Sequence, residues 1–201
     1  MSADVDLALG AIRSGKLAVV PTDTVYGLAA SPDDEAAVRR LYEAKSRDGH
    51  QPTALLASSL SVLLDCVPEL RGRAAQIVGA LLPGPYTLVV PNPARRYGWL
   101  AGASPDALGI RVPHLTGPGR ELLDGVGALA ATSANLRGGA DPRTLDEVPA
   151  EIRDAADALL DGGELAGTPS TVLDFTGPKP RVLREGAASS AEALRLVADL
   201  L

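Results

Sequence analysis

One cysteine, two histidines and no surplus of basic residues are what this chain of 201 residues offers, and each scarcity removes a class of protein. With Cys66 alone there is no disulfide framework, and its place in the apolar run Val62-Leu63-Leu64-Asp65-Cys66-Val67 reads as a small buried hydrophobe. Two histidines and a cysteine are too few soft ligands for a structural zinc site. The 19 Lys and Arg are outnumbered by 25 Asp and Glu, a formal charge of −6, which argues against a protein whose main task is gripping phosphate backbones. A local basic pocket for a nucleotide stays open. No apolar stretch approaches the roughly 20 residues of a membrane span. The opening Met1-Ser2-Ala3-Asp4-Val5-Asp6 carries acids where a secretory leader carries basic residues, so a cytoplasmic location away from membranes is expected. Also missing are a phosphate loop of the Walker type, a Gly-x-Ser-x-Gly elbow and a His-Glu-x-x-His pair.

What is present is an ordinary globular composition, 46% hydrophobic and 22% charged. Size scaling gives a chain of this mass roughly 8,900 Å² of folded surface, about 70% of the extended chain's surface being buried, enough for a core without staples. There is no internal repeat and no low-complexity linker, and a single domain over residues 1–201 is expected. Short apolar runs at 17–20, 54–57, 86–90, 108–112, 128–131, 158–160, 171–175 and 181–183 read as strands, several buried on both faces. Helical patterns lie between them at 5–14, 34–45, 59–66, 69–82, 119–123, 145–156 and 191–201. The alternation predicts α/β layers around a mostly buried sheet. Capping boxes are expected at Thr144-Leu145-Asp146-Glu147 and Ser189-Ser190-Ala191-Glu192. In the second helix Val38, Leu41 and Tyr42 form one stripe, and Lys45 leaves at its edge.

Five segments could carry chemistry. In Val19-Val20-Pro21-Thr22-Asp23-Thr24-Val25-Tyr26-Gly27-Leu28 strand alternation sets Thr22, Thr24 and Tyr26 on one face, either to hold a small polar ligand or to satisfy turn backbone. Lys45-Ser46-Arg47 puts a point charge beside a planar guanidinium, a pair suited to a polyphosphate and equally at home at a helix end. Thr132-Ser133-Ala134-Asn135-Leu136-Arg137-Gly138-Gly139 can present hydroxyl, amide and backbone donors to phosphate oxygens. Arg111 stands inside the apolar strand Gly109-Ile110-Arg111-Val112-Pro113 and needs an anion, a structural carboxylate or a substrate. The fifth is Pro169-Ser170-Thr171-Val172 with Arg181-Val182-Leu183-Arg184-Glu185-Gly186. His50 and His114 read as solvated loop positions.

Seven fragments, Pro21 to Leu28, Lys45-Ser46-Arg47, Pro83-Gly84-Pro85-Tyr86-Thr87-Leu88, Arg111-Val112-Pro113, Ser133-Ala134-Asn135, Ser170-Thr171-Val172 and Leu183-Arg184-Glu185-Gly186, follow in order and spacing the pattern of the YrdC family of threonylcarbamoyl-AMP synthases, which the chain resembles from about residue 6 onward. The resemblance implies a three-layer YrdC-like α/β fold, a twisted mixed β-sheet flanked by helices, with a concave cavity for ATP and L-threonine. It implies a short form holding the catalytic domain alone. The implied reaction joins L-threonine, bicarbonate or CO2, and ATP into threonylcarbamoyl-adenylate, releasing pyrophosphate, with Mg²⁺ carried by ATP and no protein ligand to the metal named. Partner proteins would then pass the threonylcarbamoyl group to adenosine 37 of tRNA, with weak or no direct tRNA binding here.

Carried over by position, Lys45 and Arg47 look like the catalytic triphosphate contacts, joined on the ATP side by Ser133, Asn135 and Arg184. Thr24, Arg111 and Ser170 look like the threonine pocket. The chain departs from the family pattern at Asp48, Gln51, Thr53 and Arg137. Two alternatives remain: a paralogue of the same fold that adenylates another carbamoyl donor, and a non-enzymatic RNA-binding module, which the negative charge disfavours.

Overall fold

Strands whose successive side chains face opposite ways can bury one face and leave the other for a ligand, and this sheet does both. The computed structural model describes residues 2–45 and 51–201, with 9118 Å² of accessible surface, close to the size-scaling value. The strands are β1 Ala18–Pro21, β2 Tyr26–Ala30, β3 Ala54–Ala57, β4 Tyr86–Pro91, β5 Ala107–Arg111, β6 Ala128–Ser133, β7 Ala158–Leu159, β8 Thr171–Asp174 and β9 Arg181–Arg184. They form one mixed sheet in the order β7-β1-β2-β6-β3-β5-β4-β8-β9. β1–β7, β3–β5 and β4–β8 run parallel and the other neighbours antiparallel.

The helices are α1 Ala3–Arg13, α2 Glu35–Ala44, α3 Leu60–Cys66, α4 Arg73–Leu81, α5 Gly117–Val126, α6 Ala150–Ala155 and α7 Ser190–Leu196. Side-chain oxygens of Ser2, Asp34, Ser59 and Ser189 cap α1, α2, α3 and α7, each accepting a backbone N–H that the first turn would leave unpaired. No helix of the described residues is long and apolar enough to cross a membrane.

The two faces of the sheet differ. Leu55, Ala57, Leu88, Val90, Leu108, Ile110, Ala130 and Leu173 point to one side, where α2, α3, α4, α6 and α7 supply Val38, Leu41, Leu63, Ile77, Val78, Leu81, Ile152 and Ala193. On the second side α1 and α5 bring Val5, Leu9, Ile12, Leu122 and Leu123 over Ala18, Val20, Ala29, Leu56, Leu129 and Ala131. That second cluster holds no residue of β4, β5 or β8, so there the sheet has no helical cover from it.

Four expectations change. The stretch from Val19 to Leu28 is a hairpin, with Ala18 opposite Ala29 and Pro21 opposite Tyr26; Thr22 and Thr24 sit in its loop and share no strand face with Tyr26. The helix expected over 69–82 starts at Arg73, because Gly72 precedes it at φ +54° while Leu70 turns into the core. The helix expected over 145–156 divides at Pro149 into a 3₁₀ turn Leu145–Glu147 and α6; Thr144 caps nothing, and the Glu147 carboxylate accepts instead from the N–H of Arg143 at 2.7 Å. The last helix ends at Leu196, a 3₁₀ turn Ala198–Leu200 following it. Cys66 lies half-buried against the main core, and burial pushes its thiol up.

Candidate active site

Over the uncovered part of the second face lies a cavity of about 630 Å³, a size usual for a small-molecule site. Its floor is made by the alternate residues of neighbouring strands: Thr87 and Val89, Gly109 and Arg111, Ala54 and Leu56, Ala131 and Ser133. The intervening residues Leu55, Leu88, Ile110 and Ala130 fill the core on the other side. The sequence Leu-Gly-Ile-Arg in β5 therefore writes core, cavity, core, cavity.

Arg111 is 6% exposed and ion-pairs with Asp23 through Nη2, which also donates to Thr24 Oγ1 at 3.2 Å. The second carboxylate oxygen of Asp23 accepts from the backbone N–H of His114 at 3.0 Å, so both oxygens are engaged. Burial pushes the guanidinium below its ordinary value; Asp23 pulls it up by charge and hydrogen bond, and Arg184 adds repulsion. It stays a cation at neutral pH. Arg111 Nε is buried and has no hydrogen-bond partner. The question left open by the sequence thus has a structural carboxylate as its answer, with donor capacity left over.

Across the sheet Ser170 Oγ lies 2.8 Å from Thr87 Oγ1 and accepts from Arg184 Nη2 at 3.2 Å, while Arg184 Nε donates to the Ser170 carbonyl at 3.0 Å. A guanidinium only donates, so the two hydroxyls hold two protons for one shared bond, and one proton is free to turn toward a ligand. Thr22 serves its own turn, accepting from the N–H groups of Thr24 and Val25 at 3.2 Å and donating to the Val25 carbonyl at 2.6 Å. Tyr26 is wholly buried outside the cavity, its hydroxyl donating toward Asp161 and the Gly163 carbonyl and accepting from Gly162.

Lys45, the cap of α2, is fully buried, further in than the edge of the helix stripe where the sequence sets it. Its ammonium donates to the Ser133 carbonyl and, at 3.0 Å, to Asn135 Oδ1, which also accepts from Ser133 Oγ at 2.7 Å. Ser133 lines the cavity, whereas Lys45 and Asn135 do not and brace the turn through these hydrogen bonds. Arg47, Asp48 and His50 lie outside the described residues. Gln51 and Thr53 line the cavity, and Arg137 and His114 are exposed away from it.

The structure therefore brings Thr24, Arg111, Ser133, Ser170 and Arg184 to one cavity. Sequence reading gave no role to Asp23 or Thr87. A lone arginine in an apolar strand signals a buried anion, but 25 carboxylates were available and the partner is 88 positions away. Also lining the cavity, Asp174, 3% exposed, accepts from the N–H and hydroxyl of Thr176 and from Arg181. Burial raises this carboxyl, and those hydrogen bonds outweigh it and hold it below the usual range.

Comparison with known proteins finds relatives over most of the chain. The family model for Sua5, YciO and YrdC proteins, described as "Telomere recombination", matches residues 10–186. A protein of Mycobacterium tuberculosis bearing the provisional name threonylcarbamoyl-AMP synthase is 37% identical over 186 residues, covering 91% of this chain and 84% of its own. The threonylcarbamoyl-AMP synthase of Pyrococcus abyssi is 32% identical over 197 residues, and the chain spans 58% of its length. Among solved structures, P. abyssi Sua5 complexed with L-threonine superposes with a TM-score of 0.86 at 33% identity, over 96% of this chain and 57% of that one. Escherichia coli YciO superposes with a TM-score of 0.80 at 26% identity, over 92% and 90%.

Proposed function

The chain belongs to the Sua5/YciO/YrdC family, and from that we propose that it is an L-threonylcarbamoyladenylate synthase. The observation that carries the reading is Arg111: a buried cation, held by Asp23 yet with Nε unpartnered, at the edge of a cavity that also receives Thr24, Ser170 and Arg184. Arg111 keeps donor capacity beyond its pair with Asp23, and that capacity suits a single α-carboxylate. The threonine-bound P. abyssi Sua5 and the synthase names of the relatives supply the substrate class.

In this reading the threonine α-amine adds to CO2 and loses a proton, giving a carbamate. A carbamate oxygen attacks the α-phosphorus of ATP, the bond from that phosphorus to its bridging oxygen breaks, and pyrophosphate departs with the electron pair. The nucleophile belongs to the substrate, so no catalytic Ser, Cys or His is required. Arg111 holds the threonine carboxylate and Thr24 and Ser170 its polar groups. Ser133, braced by Lys45 and Asn135, and Arg184 serve ATP, and Arg47 completes the triphosphate contacts. Positioning and charge neutralisation then do most of the work.

ATP enters as its magnesium complex. The magnesium ion would be held largely by phosphate oxygens and water. Partner proteins pass the threonylcarbamoyl group on to adenosine 37 of tRNA. The test is pyrophosphate release from ATP, Mg²⁺ and bicarbonate with and without L-threonine, serine serving as control. Release that needs both threonine and bicarbonate supports the synthase, and release indifferent to threonine contradicts it.

A further inference from the structure

Two glycines lie inside strands, Gly27 in β2 and Gly109 in β5, and only one of them has a reason in the protein's own packing. A methyl group at Gly27 would stand 3.3 Å from the Thr132 carbonyl, closer than side chains usually approach. At Gly109 the added carbon would meet Ala54 Cα at 3.7 Å and Thr87 Cγ2 at 3.8 Å, ordinary van der Waals contacts. Nor does the backbone demand glycine there, since Gly109 is absent from the residues with positive φ. A strand interior is a poor place for glycine, which has no side chain to pack and loses most entropy on folding. Nothing in the fold repays that cost.

The cavity does. Leu108 and Ile110 are core residues, so position 109 faces the ligand side with Arg111 two residues further along, roughly 7 Å by strand geometry. Ala54 in β3 and Ala131 in β6 continue the row of Gly109 sideways, so nothing larger than a methyl rises from that row of the floor across three strands. Thr87 closes the other side, its methyl toward position 109 and its hydroxyl on Ser170. The buried, unpartnered Nε of Arg111 marks one end of this floor as made for an added acceptor.

We propose that Gly109 is a specificity-determining residue: its missing side chain leaves the space that the α-amino end of threonine, and the carbamate built on it, occupy while Arg111 holds the carboxylate. This rests on the synthase reading. It predicts an uncommon combination, a substitution that leaves the fold as stable or more stable while weakening one substrate.

The experiment compares wild type, Gly109→Ala and Gly109→Val by thermal unfolding without ligand and by steady-state pyrophosphate release with threonine and ATP varied separately. The Ala variant is expected to melt at the wild-type temperature or a few degrees above it, as removal of a strand glycine does. Its KM for threonine should rise about tenfold, the scale of one misplaced methyl group in a fitted pocket, with the Val variant worse and the KM for ATP moved less than about threefold. An Ala variant that melts several degrees lower makes the glycine structural and overturns the inference. So does wild-type release with both KM values unchanged in the Ala variant, or with the ATP value alone raised; in those cases the synthase reading stands. Wild-type protein without threonine-dependent release overturns the synthase reading and this inference together.

Discussion

The two faces of the sheet are written in the same strands, yet one is filled by large aliphatic side chains and the other, over β4, β5 and β8, by glycine, alanine, threonine, two valines, an aspartate and a single arginine. Leu88, Leu108 and Ile110 are at most 1% exposed, while their immediate neighbours Thr87, Gly109 and Arg111 line the cavity. The difference teaches where stability and function reside: the packed face should govern unfolding and the open face should govern substrate, with Arg111 alone belonging to both.

The sharpest way to break that division is Arg111→Ala. It strands Asp23 in the interior and should cost roughly 3–5 kcal/mol of stability, the range for breaking a buried pair, besides lowering threonine-dependent turnover more than about a hundredfold. Thermal unfolding and kinetics together check it, and Asp23→Ala in the same chain should restore melting without restoring turnover. On the packed face Ile110→Ala should cost about 2–5 kcal/mol through a cavity, lowering Tm by roughly 5–15 °C, with KM for threonine unchanged below the transition. Ser170→Ala should do the reverse, weakening threonine by about tenfold and moving Tm little, as measured by the same two assays.

A smaller effect tests the far end of β2. Burial pushes the Tyr26 hydroxyl up to about 12, Asp161 adding to the rise and the Gly162 hydrogen bond opposing it. An unfolded tyrosine gives up its proton near pH 10, so between about 10 and 12 the folded state binds more protons and stability falls as pH rises. Tyr26→Phe should flatten part of that alkaline loss, read by denaturant unfolding at stepped pH, and leave the slope between about pH 6 and 9 alone. The smallest effect expected is at Thr53, 2% exposed with a hydroxyl that has no partner. Thr53→Val keeps the shape and removes a buried unpaired group, so its Tm should equal or slightly exceed that of wild type.

Much of this architecture was legible in the chain because it is local. Short apolar runs marked strands, the strand expected at 54–57 being Ala54–Ala57, and the capping box at Ser189 marked a helix start. The 3.6-residue stripe of α2 placed Lys45 at the edge of the core, and it is found further in, fully buried. What escaped is long-range or depends on a tight turn. The loop between Pro21 and Tyr26 contains neither Gly nor Asn, the usual hairpin signals, so β1 and β2 read as one strand and Tyr26 was set with the threonines. The Asp23–Arg111 pair joins the β1–β2 hairpin loop to a strand three places beyond β2 in the sheet order, a proximity no periodicity encodes. Proline at 149 cut a helix whose apolar spacing continued through it.

The most direct measurement of the central claim is to incubate the protein with labelled bicarbonate, L-threonine and MgATP and to follow the label by chromatography. The account predicts label in a threonine- and ATP-dependent adenylate, formed in step with pyrophosphate by wild type and lost in Arg111→Ala. Pyrophosphate release with the label still in bicarbonate, or a labelled adenylate formed equally well by Arg111→Ala, would contradict it.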